Sequence, residues 1–429
     1  MSGIRIAVMA VCIGPGLFTS PLSYAAVSPD SSIAAFQKAH SKSLGEKIFA
    51  FPGKAIYFPL KYTMRGLNWT IGYVDDSKIP ARIDDFLTSD DGLRGVQPTY
   101  SSRVGIGFRF YQNALFGDDK EYNQFSISIS TWDLERQQYC LDLEDFQIIG
   151  KTLTGGLSTG YVKLTEEPFY GIGIDTQFDD ESTYTKEQTF AEATFGYHPA
   201  GNFKLECRFG TEFVNTMRGL EEGMPSTTTL YDSQTLPGLC DQVELFHTML
   251  GMVVDTRDRP GNPTKGFDAE VSGGFFTEVG DDRFGYWQFN FDATRYVHLF
   301  YERVLAVRIA AQRNDPLEDR GIPFYNLAEL GEHETIRGFK RGRYRDRDML
   351  LGSLEYRWPI WRSWDDYGVD FLIFGDVGQV TPDLLEEFEV DNFKPGIGGG
   401  IRFWGEEALI LRLEAGHSED GWRFYAVLN

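Results

Sequence analysis

Four groups of residues in this sequence could carry chemistry. Gly156-Leu157-Ser158-Thr159-Gly160 fits the G-x-S-x-G pattern, which activates serine by placing it on a strained turn between a strand and a helix. Its flanks, Thr152-Leu153-Thr154 and Tyr161-Val162-Lys163-Leu164, read instead as one continuous strand, so no hydrolase site is expected and Ser158 is a strand residue. His333 stands between Glu332 and Glu334, but no second histidine follows at helical spacing, and a polar loop residue is expected. Three cysteines lie beyond the N-terminal apolar segment. Cys140 and Cys207 fall on opposite faces of their predicted strands, which argues against a bridge, and no metal-ligand spacing links a cysteine to a histidine. No catalytic group, cofactor or metal is expected.

The fourth group is C-terminal. Ile336-Arg337-Gly338-Phe339 lies in a connection of more than thirty residues, between strands predicted around Leu305–Ala311 and Leu350–Trp358. A connection of that length is functional or disordered. The next strands carry Leu354-Glu355-Tyr356-Arg357 and Phe374-Gly375-Asp376-Val377-Gly378. Alternation puts Asp370, Leu372, Phe374 and Asp376 on one face, and Glu355 on the same side if Leu354 and Tyr356 face away. Two carboxylates on neighbouring strands could fix the loop by charge-assisted hydrogen bonds to Arg337.

The elements that would position these residues are strands. Val104, Ile106, Phe108 and Phe110 oppose Gly105, Gly107, Arg109 and Tyr111, and Phe125, Ile127 and Ile129 oppose serines. Trp287, Phe289 and Phe291 oppose Gln288, Asn290 and Asp292, while Leu409, Leu411 and Leu413 oppose Ile410, Arg412 and Glu414. Charges confined to one face suit a wet lumen, because Lys or Arg on a lipid-facing mid-bilayer position costs about 2–4 kcal/mol. A soluble sandwich would have to bury those charges. At about 20 residues per strand and connection, the stretch from Leu93 to Asn429 accommodates roughly sixteen strands, the first of them weak and near Leu93–Tyr100. The expected fold is therefore all-β, a transmembrane antiparallel barrel.

The N-terminus reads as a secretory signal over residues 1–25: Arg5, an apolar run from Ile6 to Leu17, and the small-x-small pattern Ser23-Tyr24-Ala25. Its loss would take the net charge from −22 to −23, since Arg5 is its one charged residue. Such a charge argues against nucleic acid as a partner. Paired acids such as Asp118-Asp119 and Asp281-Asp282 read as solvated turns, with cation bridging to lipopolysaccharide as the minority reading. Residues 26–91 read as a polar linker and an amphipathic helix in which Leu60, Met64, Leu67, Ile71 and Val74 follow Pro59, and residues 92–429 as the barrel. A first strand through Leu67, Trp69, Ile71 and Tyr73 is the competing reading.

Taken together, these motifs resemble the bacterial surface-antigen superfamily of outer-membrane barrels, to which BamA and TamA belong. Ile336 to Phe339 matches the family's [IV]-R-G-[FY] loop motif, and Phe374, Asp376 and Gly378 match its F-x-D-x-G strand motif. Asp255, Arg257, Asp258, Pro263 and Gly266 match a periplasmic turn, and Asn113 to Gly117 another family segment. The resemblance implies sixteen strands in the Gram-negative outer membrane and a loop folded back into the lumen, with Arg337 held by Glu355 and Asp376. It also implies insertion or translocation of proteins or lipids through a weak seam between the first and last strands, with outer-membrane lipid, lipopolysaccharide and client proteins or an assembly complex as partners. The sequence departs from the pattern in two places. The segment before the barrel does not read as periplasmic polypeptide-transport-associated domains, and the chain ends Ala426-Val427-Leu428-Asn429 without a terminal aromatic. A passive channel is the alternative reading and an outer-membrane hydrolase the third.

Overall fold

The computed structural model describes residues 87–428 apart from 90, 102, 117–121, 133–134, 363–367 and 406–407. The signal segment and the amphipathic helix expected after Pro59 lie outside these residues. The first half of the barrel comprises β1 (Arg94–Ser101), β2 (Gly105–Gln112), β3 (Gln124–Thr131), β4 (Gln137–Ile149), β5 (Leu153–Phe169), β6 (Ser182–Ala200), β7 (Phe203–Arg218) and β8 (Gln242–Asp255). The second half begins with β9 (Gly266–Glu278), β10 (Gly285–His298) and β11 (Val304–Pro316). A hairpin of β12 (Ala328–Leu330) and β13 (Tyr344–Asp346) then interrupts the succession. It resumes with β14 (Asp348–Arg362), β15 (Gly368–Thr381), β16 (Lys394–Gly405), β17 (Ala408–Ser418) and β18 (Gly421–Leu428).

Sixteen of these strands form one antiparallel barrel sheet in the order β1 to β11 and then β14 to β18. No described helix is long and apolar enough to cross a membrane. The backbone groups of the strands satisfy one another across the ladders, as the wall of a transmembrane barrel requires.

The two faces divide as alternation requires. Ile106, Phe108, Ile129, Phe209, Trp287, Phe289, Ile309 and Phe424 are exposed, whereas Ser126, Arg208, Gln288, Arg402 and Glu414 are buried on the inner face. The ladders keep these sets in register: Ile127 faces Phe110 and Leu141, and Ser128 faces Arg109 and Cys140. Cys140, Cys207 and Cys240 are free thiols. Ser158 lies within β5 and its hydroxyl donates to Asp142 on β4 at 2.5 Å, with none of the strand-to-helix geometry of a nucleophile elbow.

Residues 317–347 leave the wall between β11 and β14 and pack into the interior. Leu330, Ile336, Phe339 and Tyr344 pack against Ala310, Leu351 and Val380 of the β11, β14 and β15 wall. Phe324 and Tyr325 pack against Phe169, Tyr184 and Val214 of the β5 to β7 wall. One loop thus touches both sides of the lumen. At about 1.5–3 kcal/mol for each fully buried large apolar side chain, Phe324, Leu330, Ile336, Phe339 and Tyr344 contribute on the order of 10 kcal/mol to keeping the loop inside.

Candidate functional site: the loop latch

Arg337 sits at the inner tip of this loop and is 4 % exposed. Its backbone N–H, Nε and Nη2 donate to Asp376 on β15 at 3.1, 2.8 and 2.9 Å. Nη1 donates to Glu355 on β14 and to Glu414 on β17, both at 2.9 Å. Below the guanidinium lies the Phe374 ring, with 3.4 Å from Cζ to the ring centroid. Ser353 Oγ donates to Asp376 at 2.6 Å and fixes that carboxylate from the far side. The two-point grip on Asp376 uses the planar fork that distinguishes arginine from lysine.

The backbone is held as tightly as the side chain. The Gly338 N–H donates to the Tyr425 hydroxyl of β18 at 2.9 Å, that hydroxyl donates to the Phe339 carbonyl at 3.0 Å, and Ser418 Oγ donates to the Gly338 carbonyl at 2.8 Å. This approach depends on two strand glycines. A Cβ on Gly416 would lie 2.6 Å from the Gly338 nitrogen, and one on Gly396 would lie 2.1 Å from the Arg337 oxygen. Gly416→Val should therefore push the loop tip off the wall without removing any charged group. The expected result is a tenfold or greater rise in the rate at which protease cuts residues 317–347, with heat-modifiable gel migration of the barrel unchanged. Wild-type cleavage rates would mean that the close approach is dispensable.

Of the residues expected from the sequence, Arg337, Glu355 and Asp376 meet at one point. Phe374 lies beneath them, while the side chains of Ile336 and Phe339 belong to the apolar core of the loop. Gly378 lies under Ile336 and Leu330, where a Cβ would fall 2.8 and 3.0 Å from their side chains. Glu414 was not anticipated as a partner of Arg337. Its lumen-facing position was readable from alternation along β17, but β17 is separated from β15 by β16, whose Gly398 and Gly400 leave the space that Phe374 and Glu414 occupy: a Cβ there would fall 2.5 and 2.8 Å from those side chains.

A second layer of loop contacts lies nearer the long connections. Lys340 Nζ donates to Glu181 at 2.8 and 2.7 Å. Arg343 donates to the Thr176 hydroxyl and carbonyl, both at 2.9 Å, and to Asp420 at 2.7 Å. Arg343 therefore ties the β5–β6 connection to the β17–β18 turn across the loop.

The other expected segments are separate from the latch. In the β8–β9 turn, Asp255 accepts from Arg257 Nε at 2.9 Å and Nη2 at 2.6 Å. Asp258 accepts from the Thr264 and Lys265 N–H groups at 2.9 and 3.1 Å and from the Thr264 hydroxyl at 2.6 Å, between Pro263 and Gly266. Burial alone would raise the Asp258 pKa, but those hydrogen bonds outweigh it and lower it to about 2. His333 lies 3.8 Å from both Glu332 and Glu334, and burial lowers its pKa against the pull of those carboxylates. The described residues contain no metal-binding cluster.

A profile of the Omp85 superfamily domain matches residues 102–404. Among solved structures, BamA from Haemophilus ducreyi lacking POTRA domains 1-3 superposes with a TM-score of 0.57 at 15 % identity, over 78 % of this chain and 70 % of that one. CdiB from Escherichia coli superposes with a TM-score of 0.50 at 10 % identity, over 76 % of this chain and 60 % of that one. At such identities the likeness is one of fold. No curated protein matches the chain.

Proposed function

This chain belongs to the Omp85 superfamily of Gram-negative outer-membrane barrels, and from that premise we propose that it inserts client proteins into the outer membrane or moves them across it. The observation that carries the reading is the latch: one arginine bound by carboxylates from three strands, on a loop packed inside the lumen. A barrel built around such a plug is poorly suited to free diffusion through its centre. The terminal strands also support the reading. β1, β2, β3 and β18 have eight residues each, whereas β5 and β6 have 17 and 19. A tilted crossing strand needs about 9–11 residues. The wall is therefore shortest where its first and last strands must meet, which suits lateral release.

A passive channel is favoured by a separate feature, a cavity of about 560 Å³ on the β1 to β9 wall whose lining includes Arg109, Asp142, Glu192, Lys204, Arg208 and Glu270. Co-reconstitution separates the two. Liposomes carrying this protein should speed the folding of a urea-unfolded client barrel several-fold over empty liposomes, with only small and intermittent ion conductance. No acceleration, together with a large steady conductance, would favour the channel.

A further inference from the structure

Below the latch, toward the ends of the strands joined by the β10–β11 and β16–β17 turns, the β14 to β17 wall gathers Arg357, Arg362, Arg402 and Arg412. We propose that Arg357, Arg402 and Arg412 form an oxyanion-binding niche for a phosphate group. Arg402 on β16 stands directly opposite Arg412 on β17, and like charges placed directly opposite destabilise a sheet unless something neutralises them. Arg357 on β14 adds its own repulsion to Arg402.

The nearby carboxylates are already committed. Asp376 and Glu355 bind Arg337, and Glu355 also accepts from Arg357 Nε. Glu414 Oε1 accepts from Arg337, and its Oε2 lies 3.2 Å from Arg412 Nε. Asp370 accepts from Arg362 at 2.7 Å and lies 3.8 Å from Arg402, beyond hydrogen-bonding reach. Five guanidiniums (Arg337, Arg357, Arg362, Arg402 and Arg412) thus share four carboxylates (Glu355, Asp370, Asp376 and Glu414) in a chain whose net charge is −22.

Donors are left over at the centre of this group. Arg402 Nε and Nη1 and Arg357 Nη1 are buried without a hydrogen-bond partner, and Arg412 Nε faces only Glu414 Oε2, at 3.2 Å. A buried donor without a partner is a standing cost that a bound acceptor removes. Side-chain exposure is 4 % at Arg402, 11 % at Arg357, 21 % at Arg412 and 30 % at Arg362, so the group is buried at Arg402 and reached by solvent at Arg412 and Arg362. Guanidiniums arriving from three strands suit a tetrahedral oxyanion, whose oxygens accept from several directions, better than a planar carboxylate with two. Either free phosphate or the phosphodiester of a lipid headgroup offers that chemistry.

The test is calorimetric titration of the whole barrel, folded in an uncharged maltoside detergent, at constant ionic strength in chloride. One arm receives inorganic phosphate and a parallel arm short-chain phosphatidylglycerol; binding in the first assigns free phosphate, and binding in the second alone assigns the headgroup. Saturable one-site binding is expected for the wild type, weakened tenfold or more in Arg402→Gln, partly recovered in Arg402→Lys, and unchanged in Arg295→Gln, which alters an exposed residue of β10. Phosphate should also raise the unfolding temperature of the wild type but not of Arg402→Gln. If Arg402→Gln fails to fold, Arg412→Gln gives the same reading. No saturable binding in either arm overturns the proposal, as does wild-type affinity in an Arg402→Gln, Arg412→Gln double variant.

Discussion

Arg337→Ala should leave the barrel folded and its loop unlatched. The substitution strips Asp376 of its bidentate partner and Glu414 of its hydrogen bond from Arg337, while Glu355 keeps Arg357 and Glu414 keeps Arg412 Nε 3.2 Å away. Removing one member of a buried pair typically costs about 3–5 kcal/mol, against about 0–1 for an exposed pair, and the burial of Asp376 and Glu414 places this cluster near the upper range. A loss of about 3 kcal/mol corresponds to roughly a 150-fold shift in the opening equilibrium, at about 1.4 kcal/mol per tenfold. Apolar packing of Leu330, Ile336, Phe339 and Tyr344 remains, so the loop loosens without leaving the lumen. Limited proteolysis within residues 317–347 should accelerate on the order of 100-fold, following the open population. Ion conductance should rise as well. Arg337→Lys should fall between, since an ammonium cannot grip Asp376 with two parallel bonds. Adding Asp376→Asn to Arg337→Ala should recover part of the protection, because the most deeply buried stranded charge is then gone. Equal cleavage of wild type and Arg337→Ala would mean that the ion pairs do not hold the loop.

Much of this architecture was legible because a membrane wall punishes errors of alternation. Each strand has one face in lipid and one in the lumen, so Phe289 and Asn290 could be assigned to opposite sides from their types alone. The pairing of Arg337 with Asp376 and Glu355 was legible for a related reason: neighbouring strands project same-face residues side by side, and a loop arginine has few other deep partners. Glu414 escaped because contact across an intervening strand depends on how little that strand puts in the way, here Gly398 and Gly400, which alternation does not encode. Gly396 and Gly416 escaped too, since a glycine in a strand signals close approach without saying what approaches. The β12–β13 hairpin has three residues per strand and never faces lipid, so the rule that revealed the wall strands is silent on it. Ile336 and Phe339 were legible as motif letters, yet their work is packing, which depends on Ala310, Leu351 and Val380 from three other strands.

The most direct measurement of the proposed function is a covalent lock on the seam. Closing a barrel requires the first and last strands to meet, because unpaired backbone groups facing lipid cost several kcal/mol each. Pro98 in β1 contributes no backbone donor to that meeting. After replacement of the free Cys140, Cys207 and Cys240 by serine, single cysteines are placed in Leu93–Tyr100 and in Trp422–Leu428. Pairs whose Cα atoms come within about 4.4–6.8 Å can be bridged. In the liposome assay, the oxidised and fully bridged protein should lose its acceleration of client folding, regain it on reduction, and keep the same conductance throughout. A fully bridged barrel that still accelerates folding would remove lateral opening from the mechanism and leave the passive channel as the better description.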